Sequence, residues 1–196
     1  MSKNLLLVFT KNIELGKVKT RLAKSIGDAA ALDIYKQLVN ITERATLHVS
    51  NTDLHIYYSN TTDDNHWKGQ SKFIQVAGDL GAKMGQAFEH GFSLGYDRIV
   101  GIGSDLPKIT SAIIEEGFNA LANSDTVFGP AEDGGYYLLG MNQFYPSIFS
   151  NKPWSTEALL EVTTQELRNA GCSIQLLKKL NDIDTLDDLE ASSLSD

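Results

Sequence analysis

Along the chain, short apolar runs alternate with longer stretches in which apolar positions recur every three or four residues. The first run, Leu5-Leu6-Leu7-Val8-Phe9, has no polar interruption, which predicts a strand buried on both faces. A basic loop follows it. Over 28–49, Ala31, Ile34, Tyr35, Leu38, Ile41 and Ala45 fall at helical steps. Leu54-His55-Ile56-Tyr57-Tyr58 predicts a second strand, 59–71 a polar surface loop, and Phe73-Ile74-Gln75-Val76 a short strand. A second helix is expected over 81–95, with Met84, Ala87, Phe88 and Phe92 as its apolar stripe. Residues 98–103 predict a strand, and Thr110 is placed to cap the helix after it. Thr126-Val127-Phe128 and Tyr136-Tyr137-Leu138-Leu139 predict strands around a Gly-rich bend. A helix starting at Ser155 or Thr156, a strand over 174–177 and a helical turn over 186–190 complete the pattern. Strands alternating with helices in this way predict an α/β fold with a mostly parallel central sheet flanked by helices. No repeat, low-complexity tract or linker interrupts the pattern, so residues 1–196 are expected to form a single domain.

Composition narrows the function classes. Hydrophobic residues make up 42% and charged residues 21%, the balance of a folded globular chain. No apolar run approaches the roughly 18 residues of a membrane span. The first apolar run is shorter than a signal-peptide core and is followed by basic residues, so a cytoplasmic protein is expected. The single cysteine, Cys172, fits that compartment. A net charge of −8 argues against general nucleic-acid binding. The distribution is uneven, however: residues 1–24 hold six basic groups and one acidic group. A compact basic segment in an acidic chain fits a local anion site, and it also fits a solvated lysine-rich loop.

In an open α/β sheet, ligands bind beyond the carboxyl ends of the strands, and three unusual segments follow predicted strands directly. The first runs from Phe9 to Leu22 and carries Thr10, Lys11, Gly16, Lys17, Lys19 and Arg21. Lysines supply mobile point charges and arginine a planar fork, a combination suited to a di- or triphosphate. The glycine spacing of a Walker A loop is missing. The second is Gly103-Ser104-Asp105-Leu106-Pro107, where Asp105 is placed either to ligate Mg²⁺ or Mn²⁺ or simply to cap a turn. The third is Gly129-Pro130-Ala131-Glu132-Asp133-Gly134-Gly135-Tyr136. Adjacent acids there suit metal binding or general-base work, while Asp133-Gly134 also reads as a hairpin turn. Gly78-Asp79-Leu80-Gly81 leads a strand into a helix whose first amides suit an anion. An acidic cluster over 181–188 either caps a helix or lends Asp182 or Asp184 to a metal site. The four histidines show no metal-ligand spacing, and no Gly-x-Ser-x-Gly element is present.

Taken in order, FTK-x4-GKVKTRL, GDLGAKM-x2-AF, GSDLP, GPAEDGGYYLLG, PWST and DIDTLDDL resemble the bacterial GT-A-like glycosyltransferases of the arsenosugar-biosynthesis type, a group of nucleotide-diphospho-sugar transferase-like proteins. The resemblance runs from Leu5 to about Leu189. It implies a GT-A fold, a divalent metal cofactor (Mg²⁺ or Mn²⁺), a nucleotide-sugar or nucleotide substrate and a small-molecule acceptor. Lys17, Lys19 and Arg21 then match the phosphate-binding loop, with Thr10, Lys11, Gly16, Gly78, Asp79 and Gly81 beside them. Asp105 matches the metal-binding aspartate, and Asp184 stands where some nucleotidyltransferases place a second ligand. Asp133 is the candidate catalytic base, and Glu132, Gly134, Gly135 and Trp154 the candidate substrate contacts. The chain departs from the wider pattern in two places. Gly103 replaces the first acid of Asp-x-Asp, and Gly16 is the lone glycine of a loop that is glycine-rich in nucleotidyltransferases. Glycosyl transfer is therefore the leading expectation. Nucleotidyl transfer with release of pyrophosphate is the alternative, and a non-catalytic nucleotide-binding module a lesser one.

Overall fold

The computed structural model describes residues 3–194. In chain order the elements are β1 (Asn4–Thr10), α1 (Thr20–Ile26), α2 (Asp28–Leu47), β2 (Thr52–Tyr58), β3 (Ser71–Ile74), α3 (Leu80–Ser93), β4 (Arg98–Gly103), α4 (Ser111–Ala120), β5 (Thr126–Pro130), β6 (Tyr136–Met141), α5 (Leu159–Asn169), β7 (Ile174–Leu176) and α6 (Leu186–Glu190). The seven strands form one sheet in the order β3-β2-β1-β4-β6-β5-β7. Only β6 runs against its neighbours; the β1–β2, β1–β4, β2–β3 and β5–β7 pairs are parallel. The register sets Phe9 beside both Tyr57 and Gly103. The carboxyl ends of β1, β2 and β4 therefore finish at one level.

Leu5, Leu6, Leu7 and Val8 are each fully buried. Side chains on a strand alternate between faces, so Leu6 and Val8 enter one apolar cluster with Tyr35, Val39 and Ile114. Leu5 and Leu7 enter the other with Ala87, Phe88 and Leu167. Each such burial contributes on the order of 1.5–3 kcal/mol before entropy is charged against it, which is why β1 reads as an unbroken apolar run. On the second face, α3 lies close against the sheet through Gly91. A Cβ there would stand 2.5 Å from Cδ1 of Ile99 and 2.7 Å from Cδ2 of Leu5.

Besides β3, which runs over Ser71–Ile74 and not 73–76, and Trp67, fully buried within the expected surface loop, three local features around the helix starts differ from the sequence-based expectation. The basic segment is not loop throughout, because α1 begins at Thr20. Its N-cap is Lys19 in the left-handed region (φ 46°, ψ 43°), with no side-chain cap and no acid in the first turn. None of the usual start signals is present. The helix expected from Ser155 begins instead at Leu159. Ser155 has φ 62°, and Thr156 turns back so that its Oγ1 donates to the Pro153 carbonyl at 2.8 Å. Finally, α3 starts at Leu80 rather than Gly81, capped by Asp79.

Gly91→Val should destabilise the fold by about 1–3 kcal/mol, the usual cost of overpacking. Glu89→Ala, on the exposed side of the same helix, should stay within about 0.5 kcal/mol of the parent. Chemical denaturation midpoints at constant slope check both values.

Candidate functional site

A cavity of about 760 Å³ opens at the carboxyl ends of β1 and β4. The start of α1, the start of α3, the turn between β5 and β6, the segment around Trp154 and the chain ahead of α6 all contribute to its walls. The sheet order explains the convergence: parallel strands bring their following loops to one edge.

Lys19 and Asp105 meet at its centre. The Lys19 side chain is only 5% exposed, and its Nζ stands 3.1 Å from Oδ2 of Asp105, which is 45% exposed. Burial works most strongly against the ammonium charge. The contact with Asp105 and the fields of Asp182 and Asp184 outweigh it, and the group is held above its usual range. Asp182 has the opposite fate. Burial first, then the neighbouring charge of Asp105, push its carboxyl up to about 6; Lys19 pulls it down and Asp133 adds to the rise. Arg21 is 69% exposed and its Nη1 donates to Oδ2 of Asp184 at 2.8 Å. Cations and carboxylates thus interleave across the floor.

This floor is tied down from behind. The hydroxyl of Tyr35, from α2, lies 3.1 Å from Oγ1 of Thr10 and 3.0 Å from Oγ of Ser104. The Lys11 amide donates to the same hydroxyl at 2.9 Å. Burial holds the Tyr35 phenol above its usual range, so it remains a neutral hub joining β1, α2 and β4. On the acidic side, Thr185 and Asp188 form a reciprocal cap on α6. Oδ2 of Asp188 also accepts from the Asp184 amide at 3.1 Å. The Ile183 amide donates to the Asp105 carbonyl at 3.4 Å, joining the two acidic loops.

The opposite wall is the turn over residues 131–135. Oδ1 of Asp133 accepts from the Gly135 amide at 2.9 Å. Gly134 has φ 86°, and a Cβ there would meet the Glu157 carbonyl oxygen at 2.1 Å. Its carbonyl accepts from the Leu160 amide at 3.0 Å. The glycine serves contact between two parts of the protein.

The cavity brings together Thr10, Lys11, Lys19, Arg21, Gly78, Asp79, Asp105, Asp133, Gly135, Trp154 and Asp184 from the sequence-based set. Five others stand elsewhere. Lys17 is exposed and pairs with Glu14 at 2.5 Å. Gly16 sits in the same outer turn (φ 72°). Gly81 is pressed against the protein, where a Cβ would meet the Phe149 carbonyl oxygen at 2.2 Å and Cζ2 of Trp154 at 2.9 Å. Gly134 faces Glu157. Glu132 lines a smaller adjoining cavity of about 280 Å³ with Asn181 and Asp188. Asp79 lines the main cavity, yet its Oδ1 already accepts from the Ala82 amide at 2.8 Å; this carboxylate takes a helix amide that an anion would otherwise use. Tyr35, Gln75, Lys83, Ser104 and Tyr136 line the cavity without having been singled out from sequence. Tyr35 fell within an apolar helical stripe, and Gln75 lay inside a strand signal, so neither carried a separate cue.

A hard divalent cation suits the donors present. Asp105 presents a half-exposed carboxylate whose Oδ1 has no hydrogen-bond partner among the described residues. Asp182 lies close enough to feel the charge of Asp105, and Asp184, paired with Arg21, lines the same cavity. Among the described residues no three acidic, histidine or cysteine side chains gather into a ready-made metal cage. Asp105 with Asp184 would therefore hold a cation that keeps part of its shell for water and phosphate oxygens, the habit of Mg²⁺.

Comparison with known proteins adds to this geometry. A crystal structure from Desulfovibrio desulfuricans G20, provisionally described as a nucleotide-diphospho-sugar transferase, shares 32% identity at a TM-score of 0.91, covering 97% of this chain and 86% of that one. A CMP:2-keto-3-deoxy-manno-octonic acid synthetase in complex with CTP shares the fold at a TM-score of 0.61 and 11% identity, over 97% and 96% of the two chains. Glucosyl-3-phosphoglycerate synthase from Mycobacterium tuberculosis, in complex with Mn²⁺, UDP and glucosyl-3-phosphoglycerate, does so at 0.54 and 12% identity, over 96% and 75%. A search of curated proteins finds no match. Residues 42–156 match the family described as "Uncharacterized protein conserved in bacteria (DUF2064)", and the chain belongs to that family, with a nucleotide-diphospho-sugar transferase-like fold.

Proposed function

We propose that the protein is a metal-dependent transferase that takes its group from a nucleoside-diphosphate sugar and passes it to a small-molecule acceptor. One observation carries the reading: buried Lys19 and exposed Arg21 interleave with Asp105, Asp182 and Asp184 on the floor of a cavity sized for a nucleotide. The cations suit a diphosphate and the carboxylates a divalent metal. A metal held by Asp105 and Asp184 would supply charge neutralisation for the departing diphosphate. Lys19 and Arg21 orient its oxygens and stabilise the charge that builds on them. Asp133, on the wall facing them, takes the proton of the acceptor hydroxyl; the Gly135 amide fixes one of its oxygens and leaves the other to the acceptor. Trp154 offers a flat apolar face to the transferred group. The reading needs no nucleic acid and places the reaction in the cytoplasm.

A second reading, nucleotidyl transfer from a nucleoside triphosphate, draws on the fold similarity to the CTP-bound synthetase, which spans nearly all of both chains. The same floor would hold a triphosphate. Against it stands the loop after β1, whose lone glycine between Thr10 and Lys19 is Gly16, where a backbone cradle for pyrophosphate favours several glycines.

Asp105→Asn should abolish metal-dependent nucleotide binding and also lower stability, because buried Lys19 loses its carboxylate partner; a retained circular-dichroism spectrum identifies the folded variant. Calorimetric titration of UDP and GDP with Mn²⁺ measures the binding, and an affinity equal to the parent's would remove Asp105 from the metal role. Replacing both Lys19 and Arg21 with alanine should weaken nucleoside diphosphates by about two to four orders of magnitude, since charged hydrogen bonds contribute roughly 1.5–3 kcal/mol each. Free nucleosides should lose far less, and the buried Lys19 should account for more of the loss than Arg21. Equal losses for nucleoside and nucleotide would mean that the loop shapes the pocket and does not bind phosphate. The two reactions separate in a third measurement. With Mn²⁺ present, at least one nucleotide sugar should slowly release nucleoside diphosphate, water standing in for the acceptor. Pyrophosphate release from a nucleoside triphosphate that depends on acceptor and Asp105, with every nucleotide sugar left intact, would overturn glycosyl transfer in favour of the second reading.

A further inference from the structure

Gln75 is a cavity-lining group whose orientation is fixed and which the transfer chemistry above leaves without a task. It follows the last residue of β3, and its backbone amide donates to the Tyr58 carbonyl at 2.8 Å, continuing the β2–β3 pairing. Its side-chain Nε2 donates to the Tyr57 carbonyl at 2.9 Å and to the Thr10 carbonyl at 3.4 Å. Both partners are acceptors only, so the amide nitrogen must face the strand ends and Oε1 must face away from them. Oε1 has no hydrogen-bond partner among the described residues, yet it is not one of the buried unpaired atoms. Gln75, half-buried and part of the cavity lining, therefore keeps one open acceptor turned away from the strand ends.

Its position along the sheet says what that acceptor meets. Gln75 reaches from β3 across the end of β2 to a carbonyl of β1. Neighbouring strands lie about 4.7–4.9 Å apart, so the amide stands about 5–10 Å from the end of β4, where Asp105 lies. Asp133, in the turn between β5 and β6, walls the cavity on the other side of β4. A diphosphate lying over Lys19 and Asp105 with its reacting group toward Asp133 leaves only the β1–β3 side for the nucleoside. Ribose then lies nearest the phosphates, and the base lies beyond it, over Gln75.

We infer that Gln75 reads the nucleobase, its Oε1 accepting a hydrogen bond from an N–H of the base. The inference rests on the proposed nucleotide-dependent transfer and adds to it the residue that selects the nucleotide. A locked acceptor selects by penalty as much as by attraction. A base that turns a ring-nitrogen or carbonyl lone pair toward Oε1 leaves two acceptors facing each other, and that arrangement is costly once water is excluded. A freely rotating glutamine would present its NH₂ group instead and accept either kind of edge. The carbonyls of Thr10 and Tyr57 remove that choice.

The test uses the whole chain with Mn²⁺ and five probes: UDP, GDP, CDP, ADP and inorganic pyrophosphate, each titrated by calorimetry. The parent should prefer one or two bases. Gln75→Met removes the acceptor and both donors; Gln75→Glu keeps an oxygen but cannot donate to the two carbonyls, so nothing holds it in place. Both variants should bind the preferred nucleoside diphosphate about three- to tenfold more weakly, the factor for one neutral hydrogen bond, and should flatten the base preference. Pyrophosphate binding should be unchanged, which also reports an intact phosphate loop. Unaltered base preference in both variants, or a parallel loss of pyrophosphate, would overturn the role of Gln75 and leave the transferase reading standing. A parent that binds pyrophosphate but no nucleoside diphosphate would overturn both.

Discussion

The site depends on one ion pair, between buried Lys19 and half-exposed Asp105. Besides Asp79, which caps α3, the carboxylates of Asp105, Asp133, Asp182 and Asp184 converge on one cavity, and like charges in a partly desolvated space oppose one another. Lys19 is the cation set among them, with Nζ 3.1 Å from Asp105 and its stem out of water. Burying a charge is unfavourable unless it is paired, so the lysine and the acids require each other. The rise of the Asp182 carboxyl to about 6 is the residue of that conflict: one acid lies deep enough, and near enough to Asp105, that Lys19 does not fully compensate it. The backbone bears part of the cost. Lys19 adopts φ 46° at the start of α1, a conformation that disfavours a side chain with a Cβ. Strain at a charged residue in a cavity floor is the pattern expected where position matters more than local preference.

The sequence revealed the frame more readily than the site. Leu5 to Val8 could be read as a doubly buried strand because each of them meets an apolar cluster on its own face, and the rule that loops after parallel strands gather ligands then pointed to Asp105 and Asp133. Direction was harder to read. Lys17 and Lys19 are two residues apart in one basic run; one pairs with Glu14 in solvent and the other is buried against Asp105. Residue type does not separate them, because their difference arises from the left-handed turn at Lys19, which the sequence does not signal. Glycine misled in a similar way. Gly81 read as part of a helix start whose amides suit an anion and Gly134 as a substrate contact, whereas each makes room for another part of the chain, Phe149 with Trp154 in one case and Glu157 in the other. The requirement for a missing Cβ was legible, but its partner was not.

Tyr35 shows why supporting residues escape pattern reading altogether. Its ring belongs to the apolar stripe of α2 and is buried with Leu6 and Val8, which is what the helical period records. Its hydroxyl lies at the far end of that ring and joins Thr10, Lys11 and Ser104. One residue is thus a core side chain at its base and a site component at its tip. The consequence is mechanical. Thr10 precedes Lys11, and Ser104 precedes Asp105, so the phenol couples the two strand ends that carry charge into the cavity.

The reversed strand gives the cavity its two unequal sides. Because β6 runs antiparallel between β4 and β5, the β5–β6 turn comes back to the same edge as the carboxyl end of β4. That turn carries Asp133. On the other side of β4 the strands are all parallel, and the segments after β1 and β3, with Lys19 and Gln75, reach the edge. The Asp133 wall therefore faces one where Gln75 stands beside Asp79 and Lys83, across the Lys19–Asp105 centre. A ligand with a charged middle, a reactive end and a base at the other end has one orientation that matches all three. The polarity of the site follows from strand direction before any side chain in it is chosen.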